Sequence, residues 1–220
     1  MGFFFIQLLA TDPLAYLVAL ATLAFSLVLH NIAQASLAAG FGDKTAALRG
    51  FTGTEPRVHL DTMYLIWLAV FGFAIPTQIP VNSYVFAKQS AREALVWWSG
   101  PLGMILWAFV LFTAGIAATR FGGGSLEGLA NGLQYGASQV LGLAVVFLFP
   151  IPPLSGAKAL YAIGNAQVRS SLSNLEMWMS RSPFSFMIIF VVLGALGITG
   201  AISRFFLSIF LVVLNAVGLL

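Results

Sequence analysis

Three polar side chains stand where an apolar helix should carry none. Leu27–Ala39 reads LVLHNIAQASLAA and places His30, Asn31 and Gln34 at the end of a long apolar run. His30 and Gln34 are four apart, so they share one helix face, with Asn31 one step round. An imidazole can ligate a metal or carry a proton, whereas the carboxamides can only donate and accept hydrogen bonds. Inside a membrane helix such groups are costly unless they face protein or water, which marks a candidate functional site. They can equally be read as a patch that hydrogen-bonds neighbouring helices. The second histidine, His59, lies in a His59-Leu60-Asp61 sequence, and there are no cysteines. That inventory excludes disulfides, thiolate metal sites and cysteine nucleophiles, and restricts any metal centre severely.

The rest of the chain must hold these residues in an apolar setting. Of 220 residues, 60% are hydrophobic and only 8% charged, against about a quarter charged in a soluble domain. The composition is that of an all-α polytopic membrane protein in contact with lipid. The net charge of +3 is spread over loops and leaves no nucleic-acid footprint. Lys and Arg fall on both sides of any topology, so they assign no orientation. The N-terminus lacks a basic n-region and reads as mature protein. No internal repeat is present, and residues 1–220 read as a single transmembrane domain.

The pattern predicts about six transmembrane helices with broken or re-entrant segments. Thr11-Asp12-Pro13 is a helix start, and the helix it opens runs to about Ala39. At ~40 Å it exceeds the ~30 Å hydrocarbon core. Gly40–Asp61 is polar and turn-rich, suited to turns or a short hairpin. Met63–Ile75 is a short apolar run broken by Pro76 and Pro80, so Ile75–Asn82 must be non-helical. Backbone of that kind survives at membrane depth only inside protein or along a cavity. Trp97 and Trp98 suit an interface at the start of a third span ending near Arg120. A fourth runs from about Leu126 to Phe149 and stops at Pro150–Gly156. Ala157–Ile163 resumes as a short helix, 164–183 reads as an exposed loop, and helices at about 184–199 and 201–219 close the chain.

Several motifs fall in order along this frame: HNIAQ at 30–34, FGDKTAALRG at 41–50, His59-Leu60-Asp61, Ile79-Pro80-Val81-Asn82, Ser99-Gly100-Pro101-Leu102 and FLFPIPPLSG at 147–156. Over most of residues 15–165 the chain resembles the site-2 protease family of intramembrane zinc metalloproteases, in its compact prokaryotic form. The resemblance implies a site-2-protease-like core over about 13–165, with C-terminal helices over about 184–219. It implies zinc held by two histidines of an H-E-x-x-H motif and an aspartate of N-x-x-P-x-P-P-L-D-G, with the glutamate activating water. Here His30 is the only retained ligand position. Gln34 stands at the second ligand, Asn31 at the glutamate, Ser155 at the aspartate and Phe147 at the preceding asparagine.

A carboxamide and a hydroxyl are poor zinc ligands, and Asn31 cannot act as a general base near neutral pH. Zinc is therefore expected to be absent. The chain reads as a pseudoprotease: a structural, scaffold or assembly subunit of a membrane complex, binding another transmembrane protein. Its docking groove would include Pro80, Asn82, Pro152, Pro153 and Gly156. His59 and Asp61 are expected to support their loop by hydrogen bonding. As a nucleophile Ser155 has no base at a known distance. The competing reading is an active intramembrane zinc metalloprotease with an atypical site. A small-molecule carrier ranks last, because no repeat supports it. The expected location is a prokaryotic cytoplasmic membrane, spanned several times.

Overall fold

The computed structural model describes residues 5–88, 90–181, 185, 188, 191–193 and 197–218. Its regular elements are all helical, with no strand among the described residues. α1 is Gln7–Thr11 and α2 is Pro13–Gly40. Asp12 caps α2 by accepting the Ala15 amide at 3.0 Å, and Pro13 takes the first helical position, where a missing N–H costs nothing. α3 (Thr45–Leu48) and α4 (Pro56–His59) occupy the polar stretch that reads as turns or a hairpin. Pro56 at the first position of α4 starts that turn of helix.

α5 spans Thr62–Phe71, capped by Asp61, whose carboxylate accepts the Met63 amide at 2.8 Å. It stops at Gly72, which adopts the left-handed conformation (φ 74°) that ends helices. Phe73–Asn82 then runs without helix, as Pro76 and Pro80 require. α6 is Ser90–Phe121, with Pro101 inside it, and a 3₁₀ turn at Gly123–Leu126 leads to α7, Glu127–Leu148. α8 is Ser155–Ile163, α9 is Ala166–Met179 and α10 is Ile198–Ala216.

α2, α6 and α7 pack on one another most extensively, with α8 laid against α6 and α7. Small residues allow the close approach of α2 and α7. A Cβ on Gly132 would stand 2.6 Å from the Val18 Cβ, and one on Gly136 would strike the Thr22 hydroxyl. Two apolar clusters result. The larger joins Leu23, Leu27, Leu68, Met104, Leu141 and Phe147; the smaller joins Ala35, Phe51, Ile79, Phe86, Trp97 and Ala159. His30 to Gln34 lie on α2 between the residues given to the two clusters. On the outside, Leu14, Leu17 and Phe25 of α2 and Leu102, Leu106 and Val110 of α6 are exposed. Leu102, Leu106 and Val110 recur every four residues, an apolar stripe that suits lipid better than water.

The structure corrects three sequence expectations. Among the described residues two helices, α2 and α6, are long and apolar enough to cross a membrane, where about six were expected. α5 is ten residues long, and Asn131, Gln134, Ser138 and Gln139 dilute the apolar character of α7. Half of the expected span at about 184–199 lies outside the described residues. The expected loop at 164–183 contains α9, opened by Asn165, whose side chain accepts the Val168 amide at 3.0 Å. Leu172 and Met179 bury the inner face of α9. Trp97 is buried rather than interfacial.

The tight α2–α7 crossing sets a test. Gly132→Leu is expected to lower stability by about 1–3 kcal/mol through overpacking against Val18. Gly142→Ala, whose Cβ would meet only the Ser203 hydroxyl at 3.9 Å, is expected to change it little. Thermal unfolding in detergent compares the two.

Candidate functional site

His30, Asn31, Gln34 and Ser155 meet in the interior, at 4%, 1%, 2% and 6% exposure. α2 supplies the first three; the fourth is the first residue of α8, 121 positions beyond Gln34. Pro152 and Pro153 break the chain after α7 and turn it so that α8 begins at the site. Gly156 has no room for a side chain: a Cβ there would run into the Leu148 and Phe149 carbonyls. The first turn of α8 is thereby seated on the end of α7.

The hydrogen bonds assign a role to each atom. Asn31 Nδ2 donates to the Thr77 carbonyl at 2.8 Å, leaving Oδ1 to face His30 Nδ1 at 3.1 Å. A carbonyl oxygen only accepts, so Nδ1 carries the imidazole proton and Nε2 offers a lone pair. Ser155 Oγ lies 3.0 Å from Nε2 and donates to it. Gln34 Nε2 donates to the Trp97 carbonyl at 2.9 Å and to Ser155 Oγ at 3.0 Å. The His30 ring packs edge-on to Phe147, with centroids 5.1 Å apart. None of these four side chains leaves a fully buried polar atom without a partner.

The surrounding wall comes from the proline-broken segment and from α8. A small cavity of about 20 Å³ is lined by the site residues with Ile75, Thr77, Ile79, Leu154 and Lys158 among others. Lys158 lies over the Trp97 ring, its Nζ 4.3 Å from the centroid, and donates to Gln78 Oε1. Burial pushes the Lys158 ammonium down to about 8, against the opposing attraction of Glu176. A larger cleft of about 260 Å³ opens beyond it, between Ser83, Glu93, Pro152, Pro153, Tyr161 and Glu176 among others. Thus Pro153 borders both spaces and Pro152 the larger. Pro80 is half-buried and Asn82 exposed, and neither lines the small cavity.

Asn82 belongs to a separate joint. Asp43 accepts the Thr45 amide at 3.0 Å and the Asn82 amide at 2.7 Å. Burial works to raise the Asp43 carboxyl, yet these bonds hold it below its ordinary value. His59 Nε2 donates to the Gly53 carbonyl at 2.8 Å, and Asp61 caps α5, so both support their loop. Thr77 ties that loop to the site: its amide donates to the His59 carbonyl at 2.7 Å and its carbonyl accepts from Asn31.

The donor set does not fit a zinc ion. Zinc sites use imidazole, thiolate or carboxylate. Gln34 turns its N–H groups inward, Ser155 presents a neutral hydroxyl, and no carboxylate joins His30. No group of three or more His, Cys, Asp and Glu side chains able to hold a metal occurs among the described residues. The Thr77 and Trp97 carbonyls were not foreseeable as partners, since backbone groups leave no mark on sequence. In the sequence Gly100 stands out only as part of the Ser99-Gly100-Pro101-Leu102 motif. A Cβ there would lie 2.5 Å from the His30 ring and 2.8 Å from Gln34 Nε2, so its bareness makes room for the centre.

Taken together, the apolar helices and the buried polar centre define a membrane protein with its site inside the helical bundle. Two relatives say which. The chain is 32% identical over 161 residues to "Putative zinc metalloprotease YwhC" of Bacillus subtilis, a match covering 71% of this chain and 74% of that protein. It is 31% identical over 159 residues to "Putative zinc metalloprotease Rip2" of Mycobacterium tuberculosis, covering 68% and 60% respectively. It belongs to the site-2 protease family. No family model and no solved structure matches it.

Two measurements check this geometry. Gly100→Ala is expected to cost about 1–3 kcal/mol by forcing His30 and Gln34 apart, while Gly103→Ala, whose Cβ would meet Ala33 at 3.4 Å, costs far less; thermal melts rank them. Lys158 should become reactive to amine reagents with a half-point near pH 8, since its neutral form accumulates above that value. Peptide-resolved labelling across pH reads this, and a half-point near the ordinary lysine value would contradict it.

Proposed function

We propose that this chain is a zinc-free member of its family that holds a membrane-embedded polypeptide segment of a partner protein without cleaving it by metal-assisted hydrolysis. The observation that carries the reading is the closed, uncharged network at the centre. His30, Asn31, Gln34 and Ser155 satisfy one another and two backbone carbonyls, leaving no carboxylate to offset a dication or to take a proton from water. A neutral network costs less inside a membrane than unpaired charge. The cleft beside Pro152, Pro153 and Lys158 offers the partner a place next to that centre. In this reading the chain is one structural unit of a larger complex. It crosses a prokaryotic cytoplasmic membrane several times, with α7, at ~33 Å, and α10 joining α2 and α6.

The second reading is a working zinc metalloprotease with an atypical site. The names of YwhC and Rip2 favour it, and so does His30, still available at the first ligand position.

Elemental analysis separates the two. The purified chain is expected to carry zinc at far below one ion per molecule, and the triple variant Asn31→Glu, Gln34→His, Ser155→Asp to take up zinc near stoichiometrically. A wild-type chain with stoichiometric zinc, and peptide cleavage lost in His30→Ala, would establish the protease. Mild detergent extraction should also recover a stoichiometric membrane partner.

A further inference from the structure

The residues that displaced the metal ligands stand in the relation of nucleophile, base and orienting group. We propose that Ser155 Oγ is a nucleophile that accepts an acyl group from a carboxylic ester with an apolar chain, with His30 as its base and Asn31 as the positioning residue. This goes beyond the docking role and does not depend on it, since the occupant, the bond and the readout all differ.

The geometry carries it. Ser155 Oγ is 3.0 Å from His30 Nε2, within reach for proton transfer. His30 Nδ1 is 3.1 Å from Asn31 Oδ1, and Asn31 is itself anchored by its 2.8 Å bond to the Thr77 carbonyl. That anchor fixes the amide orientation, the amide fixes the imidazole tautomer, and the tautomer aims a lone pair at the hydroxyl. A hydroxyl, a base within hydrogen-bond distance and a third group holding the base are the general signature of an activated nucleophile. Gln34 Nε2, at 3.0 Å, donates to Ser155 Oγ and so holds the hydroxyl in place beside the imidazole. Ser155 also opens α8, a nine-residue helix whose N-terminus has no side-chain cap. Its first amides and helix dipole stand at the same end as the reacting oxygen.

The chemistry of the set narrows the substrate. The orienting group is a neutral carboxamide, which stabilises an imidazolium less than a carboxylate would, so an ester suits this site better than an amide. The cavity at the serine, about 20 Å³, has room for the reacting group alone, and the adjoining cleft of about 260 Å³, walled by Trp97, Pro152, Pro153, Ala157, Tyr161 and Leu172, suits a hydrocarbon acyl chain. In the forward step the Ser155 Oγ–carbonyl carbon bond forms as the Oγ proton passes to His30 Nε2. The carbonyl oxygen carries the negative charge until the bond to the alcohol oxygen breaks, and that oxygen leaves with the proton from His30. Water then attacks the acyl-serine, giving its proton to His30. The acid departs, and Ser155 Oγ recovers the proton.

The test uses the full chain in detergent, treated with a chelator, with p-nitrophenyl octanoate as probe. The expected result is a burst of nitrophenolate stoichiometric with protein, and an octanoyl group on the peptide containing Ser155. His30→Ala should slow the burst by roughly 10²–10⁴-fold, and Ser155→Ala should abolish it. Asn31→Ala should slow it while Asn31→Asp restores or exceeds the wild-type rate, a pattern that loss of packing would not produce. Should Ser155→Ala fail to fold, Ser155→Cys keeps the size and should still be acylated. No burst from folded wild-type protein, acylation at another residue, or a burst that chelation removes would each overturn the assignment.

Discussion

A polar side chain inside a bundle of apolar helices has no water to fall back on, and this constraint shapes the whole interior. His30 is the group that feels it most. Its two ring nitrogens point in opposite directions, so satisfying both needs partners from two places. Asn31 beside it on α2 serves one nitrogen, and Ser155 from a distant helix serves the other. For Ser155 to arrive, α7 must end, the chain must turn through its prolines, and α8 must begin against the end of α7. For Asn31 to stay put, the proline-broken segment must bring the Thr77 carbonyl to it. The irregular parts of the fold are therefore the parts that close the hydrogen bonds of its centre.

The same constraint explains how these four side chains make one compact centre. Gln34 occupies the same helix face a histidine would, yet it turns donors inward rather than a lone pair. Ser155 is smaller than aspartate, and its hydroxyl bridges His30 and Gln34. The arrangement is held by hydrogen bonds among the side chains, with Gly100 leaving the imidazole and carboxamide room to sit side by side.

Much of this was legible in the sequence, for identifiable reasons. The spacing of His30, Asn31 and Gln34 on an apolar helix fixed their shared neighbourhood, and the position of Ser155 within FLFPIPPLSG pointed to the same place. The breaks at Pro76–Asn82 and Pro150–Gly156 were readable because proline leaves few backbone options. The number of spans was not readable, because apolar runs such as Thr62–Phe71 can be too short to cross, and α7 mixes glutamine and asparagine with its valines and leucines. α9 was missed although Val168, Leu172, Leu175 and Met179 form a helical stripe behind an Asn165 cap; its many polar residues masked the period. Lys158 was missed as a wall of the site although it lies one helical turn beyond Ser155. The Trp97 and Thr77 carbonyls were beyond reach, since only the folded backbone decides where they point.

Asp43 has a consequence of a different kind. One carboxylate grips the amides of Thr45 and Asn82, which belong to connections on either side of α5. The turn that leaves α2 and the strap that leads into α6 are thus riveted at a single point. Neither can swing without dragging the other, so displacement of the strap by an incoming chain would be felt at the foot of α2, on the same rod that carries the imidazole.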